Sequence, residues 1–182
     1  MLKSASDEQK TILEHVSLGR SVKVDAVAGS GKTTTCLHIA KSNPTKAVFQ
    51  LTYNARLKLE TRARASQLGI QNIEVHSYHA FFVKYFDGSG FTDVSIIECL
   101  KRGPPELRAP LRCDILIIDE AQDMNLLYFQ LVLLLLRSIS DNLPQLIVMG
   151  DCKQSIFNFN GADHRFLSLA DKIFKREMEE AR

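Results

Sequence analysis

Residues 26–33 read Ala-Val-Ala-Gly-Ser-Gly-Lys-Thr, directly after the apolar positions Val22 and Val24. The spacing is that of a phosphate-binding loop, G-x-x-x-x-G-K-[ST], with Ala26 at the first glycine position. Gly29 and Gly31 flank Ser30, and glycines let backbone N–H groups turn inward around phosphates. The helix expected from Gly31 adds the positive end of its dipole. Lys32 brings a mobile charge to the outer phosphates, and Thr33 offers a hydroxyl of the kind that ligates Mg²⁺. Residues Ala28, Gly29, Ser30, Gly31, Lys32, Thr33 and Thr34 are the candidate nucleotide-phosphate contacts. A glycine-rich strand-to-helix turn is the plainer reading, but such a turn does not need Lys-Thr.

A second chemical signature lies downstream, in Ile115-Leu116-Ile117-Ile118-Asp119-Glu120-Ala121-Gln122-Asp123. A hydrophobic strand would deliver Asp119 to the sheet edge, where it can hold the Mg²⁺ that Thr33 binds. Glu120 is placed to accept a proton from an attacking water. Paired acids after a strand can also cap the next helix, and Asp123 ahead of a long helix is open to that role. The upstream loop favours the phosphate chemistry.

These residues need elements to position them, and strands alternate with helices along the whole chain. Ser6-Asp7-Glu8-Gln9 is a capping-box start, and Gly19 ends that helix. Strands are expected over residues 22–27, 47–51, 73–75, 115–118 and 146–149. Helices are expected over 32–41, 55–68, 78–86, 92–102, 125–139 and 163–176. Such alternation gives a parallel sheet covered by helices on both faces, with ligands beyond the carboxyl ends of the strands. The loop, Asp119-Glu120 and Gly150-Asp151 all fall at that edge. The piece from Asp87 to Arg112, bounded by Gly and Pro, reads as a small insertion.

The chain of 182 residues is enough for one domain, and its 45% hydrophobic and 24% charged residues are those of a soluble globular protein. A net charge of +2 neither demands nor excludes nucleic acid, so any such surface must be local. Cys36, Cys99, Cys113 and Cys152 form no C-x-x-C pair and read as reduced thiols of an intracellular protein, whether cytoplasmic or nuclear. The apolar stretch from Leu126 to Leu136 is about half a membrane span and reads as a buried helix.

The loop Ala28–Thr33, Asp-Glu-Ala-Gln-Asp at 119–123, and Gly-Asp-Cys-Lys-Gln-Ser-Ile-Phe-Asn-Phe-Asn-Gly-Ala-Asp at 150–163 occur in this order. Together they resemble the motor motifs of UvrD/Rep-type superfamily 1 DNA helicases, over nearly the whole chain. The resemblance implies an α/β fold, a P-loop RecA-like parallel sheet, as the first motor domain. It implies ATP and Mg²⁺ as cofactors and single-stranded DNA as partner. Residue by residue, Gln9 matches the adenine-recognising glutamine, although it is also the third residue of a capping box. Lys32 and Thr33 match the phosphate lysine and Mg²⁺ ligand, Asp119 and Glu120 the Mg²⁺ carboxylate and catalytic base. Gln154 matches the glutamine that senses the γ-phosphate.

Three segments resemble the family's single-strand contacts: Leu51-Thr52-Tyr53-Asn54, Val75-His76-Ser77-Tyr78-His79, and the aromatics Phe157 and Phe159, with Thr52, Tyr53, Asn54, His76, Ser77, Phe157 and Phe159 as the candidate contacts. Core packing for the two phenylalanines, and helix capping for Ser77, remain open. His76 and His79 have the spacing of a metal pair but lack further ligands. Arg56, Lys58, Arg62 and Arg64 are read equally as a phosphate-facing surface or a solvated helix face. The chain departs from the family at Asn160, where many members carry an arginine tied to nucleotide coupling. A second RecA-like motor domain, expected in cis or in trans, has no counterpart before Arg182. Two functions are therefore expected: the N-terminal motor domain of an ATP-dependent 3′–5′ DNA helicase, or a non-unwinding nucleotide- and DNA-binding module that regulates a full-length relative. No membrane partner is expected, and the pathway (DNA repair, recombination or replication) is not fixed.

Overall fold

Runs of apolar residues make the strands, and pairing them in parallel buries most of each. A computed structural model describes residues 2–89, 91–103, 105–139, 143–154 and 161–180. Strands β1 (Val22–Asp25), β2 (Val48–Thr52), β3 (Ile73–Ser77), β4 (Ile115–Asp119) and β5 (Gln145–Gly150) form one parallel sheet in the order β1-β5-β4-β2-β3. β2 and β4 lie inside the sheet and are buried at every position, whereas β1, at an edge, alternates half-buried with exposed residues. β2 leads outward to β3 while β4 leads the other way to β5, so the strand order reverses between β2 and β4, at whose carboxyl edge such sheets bind ligands.

Helices α1 (Asp7–Ser17), α2 (Lys32–Ser42) and α3 (Ala55–Gln67) contribute Val16, Cys36, Leu37, Ile39 and Ala65 to a core with Val48, Ile115, Ile117, Ile147 and Met149. On the opposite face lie α4 (Tyr78–Tyr85), α5 (Asp93–Lys101), α6 (Leu126–Ser138), α7 (Arg165–Ser168) and α8 (Ala170–Glu180). That second core joins Phe81, Phe82, Ile96, Leu131, Leu135, Phe166 and Phe174 to Phe49, Leu51, Leu116, Ile118 and Val148. The architecture is thus the expected α/β sheet with helices on both faces.

Boundaries differ where tertiary pairing decides them. β1 stops at Asp25 because the chain then turns into the phosphate loop, although Ala26 still donates its N–H to the Gly150 carbonyl at 2.8 Å. β3 runs on to Ser77, since pairing with β2 continues through Leu51–His76 and Thr52–Ser77. The last helix is two: Leu169 leaves helical geometry between α7 and α8, and Phe166, Leu167, Ala170 and Phe174 all pack into the same core. Asp123 does not cap the long helix. It ends a short 3₁₀ turn (Ala121–Asp123), and Asn125 is the cap, accepting the Tyr128 N–H at 2.9 Å. In the 87–112 segment, Thr92 caps α5 and Ile96 is fully buried.

Candidate active site

The phosphate loop is closed by backbone geometry that only part of its sequence controls. Gly29 and Gly31 sit at φ of +76° and +90°, a region costly for side chains. A Cβ on Gly31 would also lie 3.2 Å from Gln9 Nε2. Ala26 needs no such freedom: among the described non-glycine residues, only Glu120 has a positive φ. The alanine at the first glycine position therefore costs the loop no backbone strain. Gly31 is the N-cap of α2 and provides no side-chain cap, which leaves the orphan N–H groups of the first turn to an anion.

Gln9 does two things at once. Its Oε1 accepts the Ser6 N–H at 3.0 Å, completing the capping box of α1. Its Nε2 donates to Thr35 Oγ1 at 3.0 Å and to the Gly31 carbonyl at 3.4 Å, so the amide lies against the base of the loop. Thr33 and Thr34 are half-buried in the first turn of α2, where Arg64 of α3 donates to Thr34 Oγ1 at 3.0 Å.

The acidic residues meet the loop as the sequence anticipates. Lys32 Nζ lies 3.6 Å from Glu120 Oε2 and donates to the Ala26 carbonyl at 3.2 Å. Asp119 is 1% exposed; its Oδ1 accepts the Glu120 N–H at 3.0 Å, and its Oδ2 accepts Gln50 Nε2 at 3.0 Å. Burial, then the neighbouring Glu120 charge, raises the Asp119 carboxyl to about 7, against the opposing pull of the Glu120 N–H, Lys32 and Gln50. Burial and Glu120 raise Asp123 as well. Glu120 itself takes φ 53° and ψ 47°, a left-handed conformation unusual for a glutamate and a form of strain found at functional sites.

Gln122 ties the two motifs together. Its Nε2 donates to Glu120 Oε2 at 2.8 Å, and its Oε1 accepts the Asp151 N–H at 3.0 Å. Asp151, 3% exposed, closes the circuit by accepting the Ala28 N–H on Oδ2 at 2.9 Å. Gly150 precedes it because a Cβ there would strike Gln122 Oε1 and lie 2.7 Å from Leu167 Cδ2. Gln50, Gln122 and Asp151 carried no assigned role in the sequence reading. Gln50 had one visible signal, an amide inside the apolar run Val-Phe-Gln-Leu-Thr.

The donor set fits a divalent cation. Oxygen ligands of the kind Mg²⁺ prefers are present in Thr33 and Asp119. Three carboxylates, two of them with raised affinity for protons, share one close lysine, a surplus of negative charge that a cation would relieve.

The expected strand contacts divide by burial. Tyr53 is 40% exposed and packs edge-on to Tyr128, whose ring stacks on buried Tyr78 at 4.5 Å. Asn54 is exposed but also caps α3, its Oδ1 accepting the Arg56 N–H at 2.8 Å. Ser77 stands at the start of α4 without a side-chain cap bond, so capping does not account for it. Thr52 and His76 are not at the surface: Thr52 is 0% exposed, and the His76 ring stacks on Phe49 with Nε2 2.5 Å from Glu74 Oε1. Burial lowers the His76 imidazole below its ordinary value. Both side chains therefore lie in the interior, not on an exposed strand-facing surface as expected. His79, at the end of the same segment, is part-exposed beside Tyr128, with Nε2 2.9 Å from Asp93 Oδ1.

The basic run of α3 is not one face. Arg62 donates from Nε to the Val75 carbonyl at 2.7 Å and Arg64 reaches Thr34, which leaves Arg56 and Lys58 of the four as the candidate phosphate contacts. Gln154 is exposed, its N–H donating to the Asp151 carbonyl at 3.1 Å. Phe157, Phe159 and Asn160 lie outside the described residues. Among the described residues no group of three His, Cys, Asp or Glu is placed to hold a metal, and no helix is long and apolar enough to cross a membrane. None of the four cysteines is in a disulfide among the described residues.

The sequence profile of the UvrD/REP helicase N-terminal domain matches residues 53–175, two thirds of the chain. The chain belongs to that helicase family. The match begins after the phosphate loop, so the nucleotide side of this helicase domain rests on the loop's own sequence and geometry. No curated protein matches the chain. Among solved structures, unliganded Pif1 from Bacteroides sp. is 18% identical with a TM-score of 0.52, covering 93% of this chain and 36% of that one. Pif1 helicase from Candida albicans is 22% identical with a TM-score of 0.46, covering 82% and 33%. At such identity the first likeness speaks to the fold, and the helicase domain spans about a third of the length of either Pif1 chain.

Proposed function

We propose that this helicase domain binds Mg-ATP and single-stranded DNA as the N-terminal motor domain of a 3′–5′ DNA helicase. The observation that carries the reading is the closed circuit from the loop through Lys32, Glu120, Gln122 and Asp151 back to Ala28. It joins three separate sequence motifs at the carboxyl edge of the sheet. When bound, Mg²⁺ would neutralise charge on the outer phosphates.

The chain's own groups do the rest. The N–H groups of Gly29 to Thr34 hold the phosphates, Lys32 supplies charge to the terminal one, and Gln9 is assigned to the base by resemblance. Thr33 and Asp119 are the cation ligands. Glu120, held in orientation by Gln122 and Lys32, takes the proton of the attacking water. Gln154 follows Asp151 at the same sheet edge and serves as the sensor of the terminal phosphate. Tyr53, Asn54, Ser77 and His79 form the strand-facing surface, with Phe157 and Phe159 assigned to it by resemblance alone. A second RecA-like domain, in cis or in trans, supplies the arginine finger, which is worth about 10³-fold or more in related phosphoryl transfer.

The test is fluorescent-nucleotide and oligo(dT) binding by the purified chain, with ATPase and duplex-separation assays in parallel. Binding of both ligands with Mg²⁺ dependence, and little ATP turnover or unwinding, is expected. Vigorous DNA-stimulated turnover with unwinding would refute the need for a second domain. Absence of DNA binding beside tight nucleotide binding would refute the helicase assignment of the surface.

A further inference from the structure

β2 is buried at every position, yet one of those positions is an amide. Gln50 lies between Phe49 and Leu51 with no exposed surface, on the sheet face otherwise built from Val48, Ile115, Ile117 and Ile147. A valine or leucine there would leave no polar group to satisfy, whereas the amide leaves several. Only part of the need is met. Nε2 donates to Asp119 Oδ2 at 3.0 Å, and Oε1 has no partner. An unmatched buried carbonyl destabilises a fold, so packing does not account for this residue.

We infer that Gln50 is a positioning residue for the cation-binding carboxylate of Asp119. This rests on the nucleotide-site reading above. Gln50 pairs with Ile117 across the β2–β4 ladder, one step below the pair Thr52–Asp119 on the same face. The longer amide spans that step and takes one carboxylate oxygen, while the Glu120 N–H takes the other. With one N–H on each oxygen, the carboxylate plane is fixed, and the remaining lone pairs are free for an ion. Thr52, directly opposite Asp119 and 0% exposed, does not substitute: its Oγ1 has no partner. Two orphaned polar atoms beside one buried carboxylate mark a place organised for a polar ligand rather than for close packing.

The experiment replaces Gln50 by methionine, which keeps length and removes the donor, with Q50L as a second variant. Three quantities are measured on the full chain: Mg²⁺ titrated into a fixed concentration of fluorescent ADP, ADP affinity in EDTA, and urea denaturation in EDTA. The expected result for Q50M is Mg²⁺ affinity about tenfold weaker, the scale set by loss of an outer-shell partner. ADP affinity in EDTA should stay within about twofold, and the urea midpoint should be equal or higher, since an unmatched amide has gone. A merely structural role would move the last two readings with the first. Unchanged Mg²⁺ affinity in a folded variant overturns the inference and leaves the nucleotide site standing. So does failure of both variants to fold, because the amide would then serve the core. Wild-type protein that binds ADP equally with and without Mg²⁺ overturns the parent reading, and the role of Gln50 with it.

Discussion

Replacing Asp119 by asparagine should become progressively more stabilising to the cation-free fold from pH 5 to pH 8. The folded protein holds this carboxyl at about 7, against an ordinary value of 3.8. Because the folded value is the higher one, the native state binds more protons than the unfolded chain between about pH 4 and pH 7. Stability therefore falls as pH rises through that window and levels off above it. At about 1.4 kcal/mol per unit, the ionised carboxylate costs the cation-free fold about 4 kcal/mol at pH 8 and about 1.7 at pH 5, a difference of about 2.5. Asparagine removes this term at every pH. It also leaves one of the two N–H donors on Asp119 without its carboxylate oxygen, a loss of about 1–3 kcal/mol that does not depend on pH. D119N should thus lie within about 1 kcal/mol of wild type at pH 5 and be more stable than wild type at pH 8, where the gain of about 1–3 kcal/mol raises Tm by about 2–10 °C. Urea denaturation in EDTA at several pH values measures the difference directly. Mg²⁺ with ADP at pH 8 should then stabilise wild type and not the variant. A wild-type-to-D119N gap that stays constant within about 0.5 kcal/mol from pH 5 to pH 8 would refute the reasoning.

Other outcomes follow from the same geometry. G150A should cost about 1–3 kcal/mol, because the new methyl meets Gln122 and Leu167 Cδ2; thermal unfolding reads the loss, and a neutral variant would show that Gln122 can shift freely. Y53A should weaken oligo(dT) binding by about 1–3 kcal/mol while leaving ADP affinity unchanged, as fluorescence anisotropy would report. K32A should lower fluorescent ADP affinity by more than about tenfold and also lower Tm in EDTA, since Lys32 is the cation closest to the Asp119, Glu120 and Asp123 carboxylates. N54A should lose about 1 kcal/mol by urea denaturation, because its side chain caps α3 whether or not DNA is bound.

The motif residues were legible because their chemistry is set by type and spacing. A left-handed φ at positions 29 and 31 asks for glycine, and a strand of Ile-Leu-Ile-Ile can only be buried, which delivers Asp119 to its end. The alternation of strands and helices likewise fixed the α/β class, and the family profile agrees with it. Element ends were less legible. β3 lengthened through pairing with β2, and the final helix broke at Leu169, both outcomes of contacts distant in sequence. Among the strand-contact candidates, Thr52 and His76 lie inside the sheet, where β2 is buried on both faces, while Tyr53 follows the end of β2 and Ser77 is the last residue of β3.

By itself, then, the sequence determined the phosphate loop, the acidic pair and the parallel sheet that carries them, since each is dictated by local backbone and hydrophobic pattern. Only the tertiary structure decided which polar groups serve which. Gln50 and Asp119 are 69 residues apart, Gln122 and Asp151 are 29 apart, and Ala28 and Asp151 are 123 apart. No local pattern specifies such pairs. They arise when β1, β5, β4 and β2 are laid side by side, and burial then obliges each polar group to find a partner.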